Sequence, residues 1–190
     1  MNITLILGSI RSGRQSHPIA HYLKEKLQQY GINSFLIDLL ENPLPLMEER
    51  VGYHPHLPEE VEIVSRQLHK ADGLIFISPE YHGSFSGVLK NALDYFWEEF
   101  KKKPIGVVGI SAGKFGGINA SSQLQQLVLS LGAFPLPNKL LVSNVAHVFD
   151  PQEHSYQESF VEAADKFLKE YIWFAQAITA KRKESRGLVL

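Results

Sequence analysis

Short apolar runs alternate with longer amphipathic stretches along this chain, and the alternation restricts the possible folds more than any other feature. Residues 3–7 form an apolar-rich run that ends at Gly8, as expected for a strand covered on both faces of a sheet. Between residues 17 and 29 the apolar positions recur at helical spacing, and Gly31 then ends the helix. Strands and helices in this rhythm predict a parallel sheet with helices on both faces.

The same pattern continues through the rest of the chain. Four more strands are predicted, at residues 35–37, 73–78, 105–111 and 140–143. Four more helices are predicted, at residues 58–70, 87–100, 117–131 and 155–181. Five parallel strands joined by right-handed crossovers favour the order 2-1-3-4-5, which is that of a flavodoxin-like three-layer α/β sandwich. No repeat or linker interrupts the pattern, so residues 1–190 are predicted to form a single domain.

Composition argues against several classes of protein. A net charge of -1 disfavours a basic nucleic-acid surface, and no apolar run is long enough to cross a membrane. Because the chain has no cysteine, disulfides, a thiolate nucleophile and cysteine-rich metal sites are excluded. His17 and His21 are one helical turn apart, but they lack the glutamate of a zinc motif, and no metal site is predicted. We expect a cytoplasmic protein.

Three loops are predicted to meet at a ligand site. In a parallel sheet of this order, ligands bind beyond the carboxyl ends of the strands, at the point where the strand order reverses. That point lies between the first and third strands, which selects residues 8–16, 79–86 and 111–117. These loops are also the segments richest in glycine and serine, so topology and composition predict the same site.

The first loop has the features of a phosphate site. It runs from a strand into the start of a helix, where free N–H groups and the helix dipole attract anions. Arg11 and Arg14 add forked donors suited to phosphate oxygens. The alternative is a polar loop whose serine only caps the helix. A dinucleotide fingerprint is absent because Ile10 replaces its second glycine, and a P-loop lysine is absent because Arg14 and Gln15 follow Gly13.

The second and third loops suit a flat ring. Tyr81 and His82 offer aromatic surface, and Gly83 permits a ring to approach the backbone, although the loop could instead pack its own aromatic side chains. The glycines of residues 111–117 indicate either backbone amides that face a ligand or tight turns. Lys114 lies near an anion or is solvated.

These loops together resemble those of the NADPH-dependent FMN reductase family, whose relatives include quinone, chromate and azo-dye reductases. The matching motifs are Gly8-Ser-Ile-Arg11 with Gly13-Arg-Gln-Ser16, Pro79-Glu-Tyr-His82 with the segment 87–94, and the segment 111–117. The resemblance extends over residues 3–137, and residues beyond Asn144 add little to it. Relatives often have Ser at the position of Arg14, Asn at that of His82 and Pro at that of Ser86.

The resemblance implies a bound FMN and a set of residues that hold it. The phosphate end would be bound by Ser9, Arg11 and Ser16, with Arg14 and the backbone of His17 close by. The isoalloxazine would be lined by Pro79, Glu80, Tyr81, His82 and Gly83. Its opposite edge would be closed by Ser111, Gly113, Lys114, Gly116 and Gly117.

The implied activity is that of an FMN-dependent NAD(P)H oxidoreductase with a ping-pong cycle. NAD(P)H would reduce bound FMN and leave, and free flavin, a quinone, an azo dye or a metal oxyanion would take its place. Because the flavin carries the chemistry, no catalytic side chain is predicted. A flavodoxin-type electron carrier and a non-catalytic flavin sensor remain as alternatives, although the low net charge argues against the carrier. The family also implies a homodimer or homotetramer, to which helix 87–100 is expected to contribute.

Overall fold

A parallel sheet lies at the centre of the computed structural model, which describes residues 1–187. Its strands are β1 (Asn2–Leu7), β2 (Asn33–Asp38), β3 (Gly73–Tyr81), β4 (Ser84–Phe85), β5 (Pro104–Ile110), β6 (Phe134–Pro135) and β7 (Leu140–Val142). Two further strands, β8 (Phe149–Asp150) and β9 (Ser155–Tyr156), form a separate hairpin. The helices are α1 (Ser16–Gln29), α2 (Glu59–Lys70), α3 (Gly87–Asp94), α4 (Ile118–Ser130) and α5 (Glu158–Gly187). The fold class predicted from the sequence is confirmed.

The strand order follows the predicted 2-1-3-4-5 pattern, with one refinement at the edge. The order is β2-β1-β3-β5, and both β6 and β7 pair in parallel with β5 at its outer side. The fifth strand is therefore split into two short pieces. Pro135 and Pro137 explain the break, because proline has no N–H to donate to the neighbouring strand.

Helices cover both faces of the sheet. On one face, α1 and α5 contribute Leu23, Leu27 and Phe167 to a buried cluster. On the other face, α2, α3 and α4 contribute a second cluster that includes Val61 and Leu124. Burial of this apolar surface on both sides of the sheet stabilises the three layers and fixes the ends of the strands relative to one another.

Helix α3 is shorter than the sequence predicted. It ends at Asp94, and a turn continues to Phe100 instead of a helix. Tyr95, Phe96 and Phe100 are buried within the chain, so the apolar character of this segment does not require a partner molecule. Lys90 and Asp94 form an ion pair at 2.5 Å on the exposed surface of α3, where such pairs contribute little to stability.

Two antiparallel hairpins were not anticipated from the sequence. β3 continues beyond the sheet and turns back into β4, which pairs Tyr81 with Ser84. The second hairpin joins β8 to β9, and its aromatic rings pack beside Tyr22, which is 4.7 Å from Tyr156 between ring centroids. Among residues 1–187, none of the helices combines the length and apolar composition that a transmembrane span requires.

Candidate functional site

The first loop, residues 8–15, leaves β1 at a point where only glycine fits. Gly8 N–H donates to Ile77 O at 2.8 Å and so extends the pairing of β1 with β3. A Cβ at Gly8 would lie 2.7 Å from the Cβ of Leu89 and 3.0 Å from Ser86 Oγ. The glycine therefore allows α3 to pack directly against the end of β1, which brings the first and second loops together.

The start of α1 leaves polar groups without partners. No side chain caps its N-terminus, and Pro18 stands in its first turn. The hydroxyl of Ser16 is buried and, within the part of the chain that the structure describes, has no hydrogen-bond partner. A buried hydroxyl without a partner is unfavourable, so this position is suited to a ligand that accepts or donates a hydrogen bond.

The two arginines of the loop are placed differently. Arg14 donates to both carboxylate oxygens of Asp38 at 2.5 Å and to Ser9 O at 2.6 Å, and its side chain is only 8% exposed. Arg11 is exposed, and its guanidinium lies 5.6 Å from the ring centroid of Tyr81. Arg14 is therefore engaged within the loop, whereas Arg11 extends along the surface of the site.

The second loop is the turn between β3 and β4. His82 and Gly83 both have positive φ, at 51° and 76°, as in the two-residue turns that favour Asn and Gly. Tyr81 precedes the turn, and its hydroxyl lies 3.5 Å from Ser9 Oγ of the first loop. Glu80 points away from the tip, and its carboxylate accepts from the N–H groups of Asn119 and Ala120 at 2.9 and 3.1 Å.

Ser86 links the second loop to the first. Its hydroxyl donates to Gly8 O and accepts from Leu89 N–H at 3.3 Å, which caps α3. Its own N–H donates to Ser78 Oγ at 3.0 Å. A proline at this position would lack both the hydroxyl and the N–H.

The backbone of the third loop packs closely against the strands beside it. Gly116 and Gly117 have φ of 61° and 78°, and a Cβ at Gly117 would lie 2.6 Å from Ile110 N. A Cβ at Gly116 would lie 2.9 Å from the Cβ of Leu141. For Gly116 and Gly117 this geometry favours tight turns, whereas a Cβ at Gly113 would meet nothing within 4 Å. Lys114 is exposed beside the Phe115 ring.

The three loops enclose a cleft of about 260 Å³ at the carboxyl end of the sheet. Eight of the residues predicted for the site line it: Ser9, Arg11, Arg14, Ser16, Pro79, Glu80, Tyr81 and Ser111. Seven others lie outside its lining: His17, His82, Gly83, Gly113, Lys114, Gly116 and Gly117. Six more residues complete the cleft: Ser12, Gly13, Gln15, Ile110, Ala112 and Val145.

Val145 was missed because it lies beyond the segment that carries the family motifs. Its N–H donates to Ser111 O at 3.2 Å, so the segment after β7 returns to the site. A contact between segments this far apart leaves no local pattern in the sequence. Val145 therefore lines the cleft although residues beyond Asn144 add little to the family resemblance.

Two larger clefts lie elsewhere. One of about 570 Å³ is lined by Lys101, Lys102 and neighbouring side chains, and another of about 650 Å³ lies beside Trp97. Both include His69, near the carboxyl end of α2 and thus near the amino ends of the strands. Because ligands of parallel sheets bind at the carboxyl ends, we assign the functional site to the smaller cleft.

A small cluster of ionisable groups lies behind the first loop. Ligand atoms of His17, Asp38 and Glu41 lie within 4.8 Å of one another. Burial lowers the pKa of His17, its neighbours His21 and Arg14 lower it further, and the carboxylates of Asp38 and Glu41 oppose the shift without reversing it. Because both oxygens of Asp38 already accept from Arg14, a metal ion here would have to compete with the guanidinium.

Comparisons with known proteins agree with this architecture. The sequence matches the profile of the family described as NADPH-dependent FMN reductase over residues 1–147. It is 30% identical over 182 residues to an FMN-dependent NADPH-azoreductase of Staphylococcus saprophyticus, and the alignment covers 90% of this chain and 94% of the relative. It is 35% identical over 143 residues to an FMN-dependent NADPH-azoreductase of Staphylococcus aureus, with coverages of 72% and 73%.

A solved structure shows the same fold. FerB, a flavoenzyme NAD(P)H:(acceptor) oxidoreductase from Paracoccus denitrificans, aligns with a TM-score of 0.79 at 21% identity, and the alignment covers 93% of this chain and 97% of FerB. Together, the matched profile and the aligned relatives confirm the resemblance that the loop motifs indicated. The chain belongs to the NADPH-dependent FMN reductase family.

Proposed function

We propose that this protein binds FMN in the cleft between the three loops and uses NADPH to reduce a small-molecule acceptor. The observation that carries the proposal is the buried Ser16 hydroxyl, which has no partner among the described residues and stands at the uncapped start of α1. An FMN phosphate would complete its hydrogen bonding, and the helix terminus would stabilise the negative charge. FMN and NADPH also appear in the names of the curated relatives.

The phosphate end of the cofactor would lie in the first loop. Ser9 and Ser16 offer hydroxyls at the two ends of the loop, and Arg11 offers a positive charge at the surface. Charge-assisted hydrogen bonds of this kind are about twice as strong as neutral ones, so the loop favours FMN over riboflavin. In this proposal Arg14 supports the loop, and His17 contributes its backbone N–H.

The isoalloxazine would extend toward the second and third loops. Pro79, Tyr81 and Ser111 line this part of the cleft and provide flat apolar surface together with polar groups at its edge. The carboxylate of Glu80 holds the start of α4 in place, so we assign it the role of shaping the wall of the cleft. His82 and Gly83 form the tip of the hairpin, where they could contact an incoming substrate.

Bound FMN would supply the hydride-accepting chemistry of the reaction. The described residues that line the cleft include neither histidine nor lysine, and its glutamate already caps α4. The contribution of the chain is therefore to bind the phosphate, to orient the ring and to leave one open face. A single face that NADPH and the acceptor use in turn predicts ping-pong kinetics.

The names of the curated relatives indicate an azo dye as the acceptor. Free flavin, quinones and metal oxyanions are the other acceptors to be assayed. A homodimer is the proposed assembly, because Phe115 and Ile118, at the edge of the third loop, are 67% and 42% exposed. Light scattering of the purified protein measures the assembly directly. A cytoplasmic location, expected from the sequence, stays a prediction.

Initial rates test the proposed reaction. The FMN-loaded protein is assayed with NADPH or NADH at several concentrations, against an azo dye, a quinone, free FMN and chromate. Parallel lines in double-reciprocal plots support a ping-pong cycle, whereas intersecting lines indicate that NADPH and acceptor bind together. A protein that binds FMN but oxidises neither nucleotide would be an electron carrier or a sensor, and the proposed activity would be wrong.

A further inference from the structure

Asp38 and Arg14 form a buried ion pair directly behind the first loop. Both carboxylate oxygens of Asp38 accept from the guanidinium at 2.5 Å, and the two side chains are only 2% and 8% exposed. A bidentate pair of this kind fixes the orientation of the two side chains as well as the distance between them. When one partner of a buried pair is removed, an uncompensated charge remains, so such pairs are sensitive to substitution.

Asp38 is held firmly to the sheet. It is the last residue of β2 and pairs in register with Leu7 of β1. Its Oδ1 also accepts from Leu40 N–H at 3.0 Å, and its carbonyl oxygen accepts from Asn42 N–H at 2.8 Å. The carboxylate is therefore a fixed point at the carboxyl end of the sheet.

Arg14 connects this fixed point to the rest of the loop. It donates to Ser9 O at 2.6 Å, and its own N–H donates to Arg11 O at 3.2 Å. The loop between these residues contains Gly13 with φ of 68° and makes few other backbone hydrogen bonds among the described residues. Arg14 thus closes the loop onto itself and onto Asp38.

We propose that Asp38 is a positioning residue for the phosphate of the cofactor. It acts through Arg14 to hold residues 9–16 in their binding shape before the ligand arrives, and it does not touch the phosphate. This inference rests on the proposed function, because it presumes that FMN binds at this loop. It assigns the direct positive contact to Arg11, since the charge of Arg14 is balanced by Asp38.

A specific consequence follows from the sign of the charges. Arg14→Met removes the anchor and also leaves the carboxylate of Asp38 uncompensated close to the phosphate. The double substitution Arg14→Met with Asp38→Asn removes the same anchor but leaves no stray negative charge. The double variant should therefore bind FMN more tightly than Arg14→Met alone, whereas independent losses at the two positions would add and make it bind more weakly.

The experiment compares the affinities for FMN and riboflavin, measured by quenching of flavin fluorescence with the apoprotein. For Asp38→Asn we expect about a tenfold weaker affinity for FMN, comparable to the smaller losses seen when a residue that orients a metal ligand is removed. The affinity for riboflavin should stay within about twofold, because riboflavin has no phosphate. Equal losses for FMN and riboflavin, or unchanged FMN affinity, would overturn the proposal.

Glu41→Gln is the matched control. Glu41 belongs to the same acidic cluster but is exposed and forms no pair with Arg14 among the described contacts. The substitution removes one negative charge from the same acidic cluster, so the affinity of the variant for FMN should be unchanged or slightly higher. A loss as large as that of Asp38→Asn would assign the effect to charge near the site rather than to positioning, which would contradict the proposal.

Amide hydrogen exchange of the apoprotein gives a readout that needs no flavin. Residues 9–16 should exchange faster in Asp38→Asn than in the wild type, whereas the amides of β1 and β3 should not change. Unchanged exchange in the loop would overturn the anchoring role. If the wild-type protein binds neither FMN nor inorganic phosphate, the proposed function fails and the phosphate role fails with it, while the exchange data still decide whether Asp38 anchors the loop.

Discussion

Replacing Ser16 by alanine should stabilise the apoprotein while it weakens cofactor binding. The Ser16 hydroxyl is buried, and it has no partner within the described part of the chain. Burial of a polar group without a hydrogen bond costs about 1–3 kcal/mol, so its removal should raise the free energy of unfolding by about 1 kcal/mol. Most substitutions destabilise a protein, which makes a gain at this position informative.

The effect on FMN has the opposite sign. If the hydroxyl binds the phosphate, Ser16→Ala loses a hydrogen bond to a charged group, worth about 1.5–3 kcal/mol. A loss of that size weakens the affinity for FMN by about 10- to 100-fold. The affinity for riboflavin should hardly change, because riboflavin lacks the phosphate.

Urea unfolding of the apoprotein and flavin fluorescence quenching measure the two effects. Ser34→Ala is the control, because the buried Ser34 hydroxyl donates to Lys24 O at 2.9 Å and so has the partner that Ser16 lacks. That substitution should lower the free energy of unfolding by about 1 kcal/mol and leave FMN affinity unchanged. A destabilised Ser16→Ala apoprotein with unaltered FMN affinity would show that the Ser16 hydroxyl does not bind the phosphate.

Four other substitutions test separate features of the site by urea unfolding. Gly8→Ala should lower the free energy of unfolding by about 3 kcal/mol, since its Cβ would lie 2.7 Å from Leu89. Gly13→Ala has open space around it and should lower the free energy of unfolding by about 1 kcal/mol, because φ at this position is positive. Equal losses for the two variants would contradict this contrast. His82→Asn should stabilise by about 0.5 kcal/mol because asparagine tolerates the φ of 51° better, and a loss of stability would argue against strain in the turn. Because burial lowers the pKa of His17 from 6.5, the imidazole binds a proton more readily in the unfolded chain than in the folded one. The free energy of unfolding should therefore fall as the pH drops below 6.5. His17→Gln should make this fall smaller, and an unchanged pH profile would show that His17 does not cause it.

The sequence predicted the fold because the apolar periodicity reports directly on buried strands and helices. Residues 3–7 and 73–78 are covered on both faces, so their composition alone marks them as central strands. The fifth strand was predicted only in part, because its first piece, β6, is two residues long and ends at prolines. The end of α3 was misplaced, because the turn after Asp94 buries aromatic side chains just as a helix would.

The sequence predicted the three loops of the candidate site but not the hydrogen bonds and ion pairs that connect them to the rest of the fold. Ser9, Arg11 and Ser16 could be assigned from local sequence because strand, loop and helix follow one another directly. The partner of Arg14 could not, since Asp38 lies 24 residues away and comes close only when β2 pairs with β1. The same holds for Glu80, whose carboxylate is used by α4, which starts near residue 118. Pairings that depend on tertiary contacts leave no local signal.

Anaerobic reduction of the bound flavin shows whether this protein is an NADPH-dependent flavoenzyme. The purified protein is loaded with FMN, freed of excess cofactor and titrated with NADPH and, separately, with NADH while the visible flavin band is recorded. We expect the protein to retain FMN and NADPH to bleach the band, which an acceptor such as an azo dye then restores. A protein that retains no FMN, or a bound flavin that neither nucleotide reduces, would contradict the proposed function.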